Sequence, residues 1–351
     1  MRGSHRWDVG TTQRRKGDHI RICLDEDVSS GVPTGLDEYI LEYDALPEVN
    51  LEDVDIGCSV LGKGLTAPIL IGAITGGTSA AGQVNENLAA AAERLSIGMC
   101  LGSQRAMLED ASAAATYDVR RRYPEMPLVL GNLGAVQLNY GVSADTIRTG
   151  LDLVDVDGLI FHLNPLQEAI QPEGDTRFEG LTDRMAEVIP QLGLPVLVKE
   201  VGAGISTRTA RKLAELPLAG VEVAGVGGTS WTKVEAFRAP GTTRAAVGHQ
   251  LASFGVTTAE SIVACRKAMP DRIVVGSGGI RTGYQIAVAL ALGADAVALA
   301  RPLLSPAVES AERVVEAIQE LILSLKVVMF GCGCRTIEDL KKVRVSRRSL
   351  G

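Results

Sequence analysis

The sequence predicts an α/β fold, a single (β/α)8 TIM barrel with an N-terminal extension, and three observations carry that expectation. Eight short apolar runs recur between residues 67 and 302 with no polar alternation, as expected for parallel strands buried on both faces. Segments of helical character separate them. Each run ends in glycines or a polar cluster, and barrels carry their chemistry at those strand ends. Right-handed crossovers close eight such units most simply into a barrel. An open doubly wound sheet is the alternative, but it has no need of eight successive units so alike. The barrel is assigned to residues 67–351 and the extension to residues 1–66.

Strands are expected at APILIGAITGG (67–77), SIGMCLG (96–102), PLVLGNLG (127–134), DGLIFHLNP (157–165), PVLVKEVGAG (195–204), LAGVEVAGVGG (218–228), DRIVVGSGGI (271–280) and ADAVALARP (294–302). Helices are expected between them, at QVNENLAAAAERL, AAATYDVRRRY, SADTIRTGLDLV, LTDRMAEVIPQL, STRTARKLAEL, TAESIVACRKAM and TGYQIAVALALG. The longest interruption, about residues 229–258, follows the sixth strand and contains Trp231 and His249; a segment of that size in a barrel reads as a lid or binding loop. Residues 1–20 are polar, and Arg14, Arg15, Lys16 and His19 form a charge run that reads as a solvated, mobile terminus. The opening MRGSH resembles the start of a common expression tag without its histidine run.

Length and composition narrow the function. The 351 residues are 46% hydrophobic with 39 glycines, which suits a large aliphatic core with many tight turns. No apolar run reaches membrane-spanning length uninterrupted, and there is no signal-peptide core, so a cytoplasmic protein without membrane insertion is expected. A net charge of −7 argues against a nucleic-acid surface, so an anionic ligand must be held by local charge or backbone N–H groups. The six cysteines, Cys332 and Cys334 included, make no zinc or disulfide framework.

Chemistry concentrates at the strand ends. After the fourth strand, His162, Asn164, Gln167 and Glu168 crowd together, with Pro165 at a first helical position and Asn164 as its expected N-cap. Asn164, Gln167 and Glu168 then share one helix face. Taken alone the cluster reads as a variant capping box; its place at a strand end favours a site. The seventh and eighth strands end in SGGIRTG and ARP, small residues that let backbone N–H groups converge on a phosphate. Lys199, in the last turn of an apolar strand, must pair with a carboxylate such as Glu200 or face a ligand. Together these suggest bound flavin mononucleotide.

From Arg15 to about Lys342 the chain resembles the type 2, FMN-dependent isopentenyl diphosphate isomerases. The resemblance rests on RKGDH (15–19), ITGG (74–77), GSQR (102–105), NLG (132–134), HLNPLQEAIQPEGD (162–175), VKEVGAGIS (198–206), VAGVGGTSW (223–231), GSGGIRTG (276–283) and ALARPLL (298–304). HLNPLQE and GGTSW are the most specific. It implies an isomerase of isoprene biosynthesis, interconverting isopentenyl and dimethylallyl diphosphates on reduced FMN with Mg2+, without net redox, after reduction by NAD(P)H. It implies FMN contacts from Ala73, Ile74, Thr75, Ser103, Asn132, Lys199, Thr229, Gly278, Gly279, Ile280, Ala300 and Arg301. Arg15, Lys16, Ser103, Gln104, Arg105, His162, Asn164 and Gln167 would meet the substrate, and Glu168 would hold Mg2+. Gln167, His162 and Trp231 would line the reacting carbons, His162 being open also to a structural reading. The N-terminal charge run then becomes a diphosphate clamp that orders on binding. A homo-oligomer, tetramer or octamer, is implied too.

Two departures stand out: Ile74 where the family commonly has methionine, and SFGVTT at 253–258 in place of its usual stretch. Both bear on substrate fit. Other readings are an FMN-dependent oxidoreductase on the same barrel, or a non-catalytic flavin- or diphosphate-binding protein. A 2-hydroxy acid oxidase would need a basic histidine where GGTSW stands, and a purine-nucleotide dehydrogenase a loop cysteine, whereas Cys265 falls in an expected helix.

Overall fold

The computed structural model describes residues 9–348; the opening MRGSH lies outside them. Eight strands, β1 (Ile69–Ile71), β2 (Gly98–Cys100), β3 (Val129–Gly134), β4 (Gly158–Leu163), β5 (Val196–Glu200), β6 (Gly220–Glu222), β7 (Ile273–Ser277) and β8 (Ala296–Leu299), form a closed barrel in sequence order. Every neighbouring pair is parallel. The expected (β/α)8 barrel is therefore the fold.

Successive side chains of a strand face opposite sides, and here both sides are apolar. In β1, Leu70 joins the layer inside the barrel while Ile69 and Ile71 pack outward beneath the helices. That is why the strand runs show no alternation. A hairpin of Cys58–Val60 and Lys63–Leu65 delivers Val60 and Leu65 to the inner layer, so the extension plugs one end of the barrel. Strand Tyr39–Leu41 pairs antiparallel with Val345–Arg347, tying the extension to the C-terminal segment.

Hydroxyl side chains start most of the outer helices. Thr78, Ser143, Ser206, Thr257 and Thr282 each accept from a first-turn amide, satisfying a donor the helix itself cannot.

Three segments differ from expectation. Of residues 1–20, read as a mobile charged terminus, those from Val9 onward belong to a 17-residue helix, α1 (Val9–Asp25), anchored by Ile22, with Val28 beyond it, against Val234. The interruption after β6 holds two helices, α2 (Trp231–Arg238) and α3 (Thr243–Gln250), rather than an open loop. AAATYDVRRRY forms only a 3-10 turn, Ala111–Thr116, because the chain turns to bury Tyr117 against Gly76.

Candidate active site

The strand register sets the floor of the site. It pairs Gly134 with His162, His162 with Lys199, and Lys199 with Glu222, laying these groups side by side across β3 to β6. All four line a cavity of about 240 Å3. Lys199 Nζ donates to the Glu200 carbonyl at 2.6 Å and lies 3.6 Å from the Glu222 carboxylate, which also accepts from Ser277 Oγ at 2.9 Å. The lysine thus meets a carboxylate, as expected, but that of Glu222 rather than that of Glu200. The Glu200 carboxylate turns back to accept the amides of Val201, Gly202 and Ala203 at 2.5–2.7 Å, fixing the turn after β5.

His162 is held neutral. Burial, then the charges of Lys199, Lys16 and Arg15, push its pKa down to about 3. Its Nδ1 stands 2.7 Å from Asn132 Oδ1, so the tautomer consistent with that contact carries the proton on Nδ1.

One end of the cavity is built from backbone. Gly278 and Gly279 adopt φ of 104° and 78°, and a Cβ on either would strike the carbonyls of Gly225 or Gly227. Helix Arg301–Glu309 begins directly after Ala300 with no side-chain cap hydrogen bond. Ala73, Ile74, Thr75, Ser103, Asn132, Thr229, Ile280, Ala300 and Arg301 also line the cavity.

The other end is charged. Lys16, from α1, donates to the Ser103 carbonyl at 2.7 Å and to Tyr117 Oη. Burial, then the neighbouring Arg15, lower its pKa to about 7. Arg105 pairs with Glu109 at 2.8 Å and Asp175 at 2.5 Å. Glu168, whose pKa burial raises, accepts from the Asp175 amide at 2.6 Å and from Asn164 Nδ2 at 2.8 Å. Asn164 stands at the N-cap with Pro165 opening the helix, as expected, but its side chain makes no cap hydrogen bond: its amide nitrogen goes to Glu168 and Gln167.

Gln104 is not among the residues that line the cavity; its Oε1 turns back to accept the Asn132 amide at 2.9 Å. The other expected site residues, Arg15, Lys16, Arg105, His162, Asn164, Gln167, Glu168, Lys199 and Trp231 among them, converge on the one cavity.

Sequence reasoning missed a buried hub. Glu235, in α2 and fully buried, accepts from His19 at 2.9 Å, Gln167 at 2.9 Å and Arg238 at 2.6 Å. Burial opposes its charge, but these donors hold the carboxylate below its usual range. His19 is kept below its ordinary pKa by burial, and its ring meets Trp231 edge-on at 5.0 Å. No signal in the sequence distinguishes Glu235 from any other glutamate on a helix.

The arrangement resolves into a glycine-rich turn and a helix start after β7 and β8, a lysine on the floor and a cationic mouth. The FMN-dependent dehydrogenase family matches residues 168–347. Isopentenyl-diphosphate delta-isomerases are similar over nearly the whole chain. That of Mycolicibacterium vanbaalenii is 46% identical, covering 94% of this chain and 95% of its own. Those of Deinococcus radiodurans and Synechocystis sp. are 45% and 43% identical, covering 94% and 98% of this chain and 96% and 98% of their own. The chain belongs to the FMN-dependent isopentenyl-diphosphate delta-isomerase family. A mandelate oxidase crystallised with (S)-2-phenylpropionate shares the fold, with a TM-score of 0.65 at 18% identity over 97% of this chain and 98% of that one.

The residues present fit the groups this isomerase family implies. The turn at Gly278 and Gly279 lines the cavity, and with the uncapped helix after β8 it offers amide donors of the kind an FMN phosphate requires. No three His, Cys, Asp or Glu among the described residues are grouped to hold a metal. A cation at Glu168 would have to be completed by substrate oxygens and water, the coordination that Mg2+ prefers. No helix among the described residues is long and apolar enough to cross a membrane.

Proposed function

We propose that this protein interconverts isopentenyl diphosphate and dimethylallyl diphosphate in this cavity, with FMN and Mg2+ bound and NAD(P)H as the external reductant. The observation that carries the reading is the meeting, in one cavity, of a phosphate cradle on β7 and β8 with a cationic mouth beside Glu168. Ala73, Ile74, Thr75, Ser103, Asn132, Thr229, the Gly278, Gly279 and Ile280 turn, Ala300 and Arg301 would hold FMN, with Lys199 at its polar edge. When bound and reduced, the flavin supplies an acid–base group and an electron-rich face.

Arg15, Lys16 and Arg105 hold the diphosphate, and Glu168 holds the Mg2+ that neutralises it, with Ser103 and Asn164 alongside. An unactivated alkene is a weak base, so its protonation needs an enclosed site that stabilises a developing tertiary cation. Helix α1 and Trp231 exclude water over the reacting carbons. Gln167, fixed by Glu235, orients the substrate there. His162 is a neutral wall and hydrogen-bond partner rather than an acid, since its charged form is suppressed. A cytoplasmic homo-oligomer, tetramer or octamer, belongs to the same reading.

The test is to reduce the purified yellow protein anaerobically and supply isopentenyl diphosphate with and without Mg2+. Dimethylallyl diphosphate is expected only when both reduction and Mg2+ are provided. Bound flavin with no isomer formed would leave the cradle standing and overturn the substrate.

A further inference from the structure

Two buried carboxamides flank Glu168, and each is orientated by a carboxylate. Gln137, in the turn after β3, donates its Nε2 to Asp175 Oδ2 at 2.9 Å. Asn164 donates its Nδ2 to Glu168 Oε1 at 2.8 Å. A primary amide presents donors on nitrogen and an acceptor on oxygen, so both nitrogens are committed and both carbonyl oxygens remain. Those oxygens, Gln137 Oε1 and Asn164 Oδ1, are buried and have no hydrogen-bond partner among the described residues. Flipping either amide would turn its oxygen onto a carboxylate. Gln137 is 2% exposed and Asn164 3%, and both line the cavity.

Bare buried acceptors call for a donor or a cation. A diphosphate cannot satisfy them, since its oxygens are acceptors too. The waters of a hydrated divalent cation can, because Mg2+ sheds water reluctantly and keeps several as donors. Asp175 links the parts: its carboxylate fixes Gln137 and Arg105, and its amide fixes Glu168.

We propose that Gln137, together with Asn164, is a positioning residue for the divalent cation, its carbonyl oxygen accepting from water bound to the ion that Glu168 holds. The inference rests on the reading of Glu168 as the metal ligand. It assigns Gln137 a role that its place in an ordinary turn gives no hint of.

Mn2+ is the probe, added to the FMN-loaded protein with inorganic diphosphate, and free Mn2+ is read by electron paramagnetic resonance. Glu168→Gln is expected to abolish saturable binding, and Gln137→Met to weaken it about tenfold or more while FMN affinity is unchanged. Gln137→Lys, which keeps a donor towards Asp175 but supplies no acceptor, should weaken Mn2+ binding likewise, and wild-type binding in it would overturn the role of Gln137 if Gln137→Met fails to fold. Unaltered Mn2+ binding in Glu168→Gln would remove the metal reading itself. Loss in Glu168→Gln but wild-type binding in Gln137→Met, or parallel loss of FMN and Mn2+ in Gln137→Met, would overturn the role of Gln137 alone.

Discussion

Gln167 and Glu235 are joined by a 2.9 Å hydrogen bond, although one follows β4 and the other sits in α2. Glu235 simultaneously engages His19 of α1 and Arg238. Placement of Gln167 therefore depends on closure of two separate segments over the cavity. Glu235→Gln keeps the size but gives the site a competing donor and removes the charge opposite Arg238. A misplacement of about 1 Å at a reacting centre costs roughly 10²-fold in rate. The expected result is a fall in kcat of about that size with FMN content unchanged, measured by single-turnover product formation. A wild-type kcat would show that Gln167 needs no such support.

The sequence made the barrel legible because the cause is local and repeated. Runs such as PVLVKE are apolar on both faces, as only a doubly covered strand can be, and hydroxyl caps such as Ser206 mark where the helices begin. The strand-end rule then collected Lys199, Glu168 and Gly278 into one cavity without knowledge of contacts. Glu235 escaped because its role comes from two partners distant in the chain, His19 and Gln167. Gln104 stands in a strong motif, yet its side chain reaches the backbone of the neighbouring strand, a contact that no local pattern announces. The α1 charge run reads as solvated only until Ile22 and Val28 are seen to pack beneath α2.

His162 titrates far below neutrality, which fixes a sign. Its folded pKa, about 3, lies below the unfolded value of about 6.5. Its contribution to stability is full above about pH 6.5 and is lost as the pH falls towards 3. Replacing it by glutamine should flatten the pH dependence of the urea midpoint between pH 7 and 4. The shape of the pH–rate profile between pH 6 and 9 should not change. Loss of an ascending or descending limb in His162→Gln would instead make this imidazole a proton carrier.

Lys16 supplies a limb that His162 does not. Burial and Arg15 bring its pKa to about 7 in the free protein, so the ammonium is lost as the pH rises through neutrality. Affinity for inorganic diphosphate should weaken between about pH 7 and 9, by up to roughly tenfold for each unit above the pKa if the anion binds only the charged form. Lys16→Arg keeps its charge throughout and should abolish that dependence, though not necessarily restore full affinity, since the two groups differ in geometry. Calorimetric titration across this range measures it. A pH-independent wild-type affinity would mean that Lys16 does not meet the anion.

Gly279 tests the cradle. Its φ of 78° strains any other residue by about 1–2 kcal/mol, and an added Cβ would also collide with the Gly227 carbonyl, where the turns after β6 and β7 meet. Gly241 has the same φ of 78° but nothing within 4 Å of the Cβ position, so it carries the strain without the collision. Gly241→Ala should lower the melting temperature slightly and leave the protein yellow. Gly279→Ala should lose more than that, and its FMN dissociation constant should rise at least tenfold, because relieving the collision moves the amides that would face the phosphate. Flavin fluorescence titration of the two apoproteins distinguishes strain from lost recognition. Equal FMN affinity in both variants would place the phosphate elsewhere in the cavity.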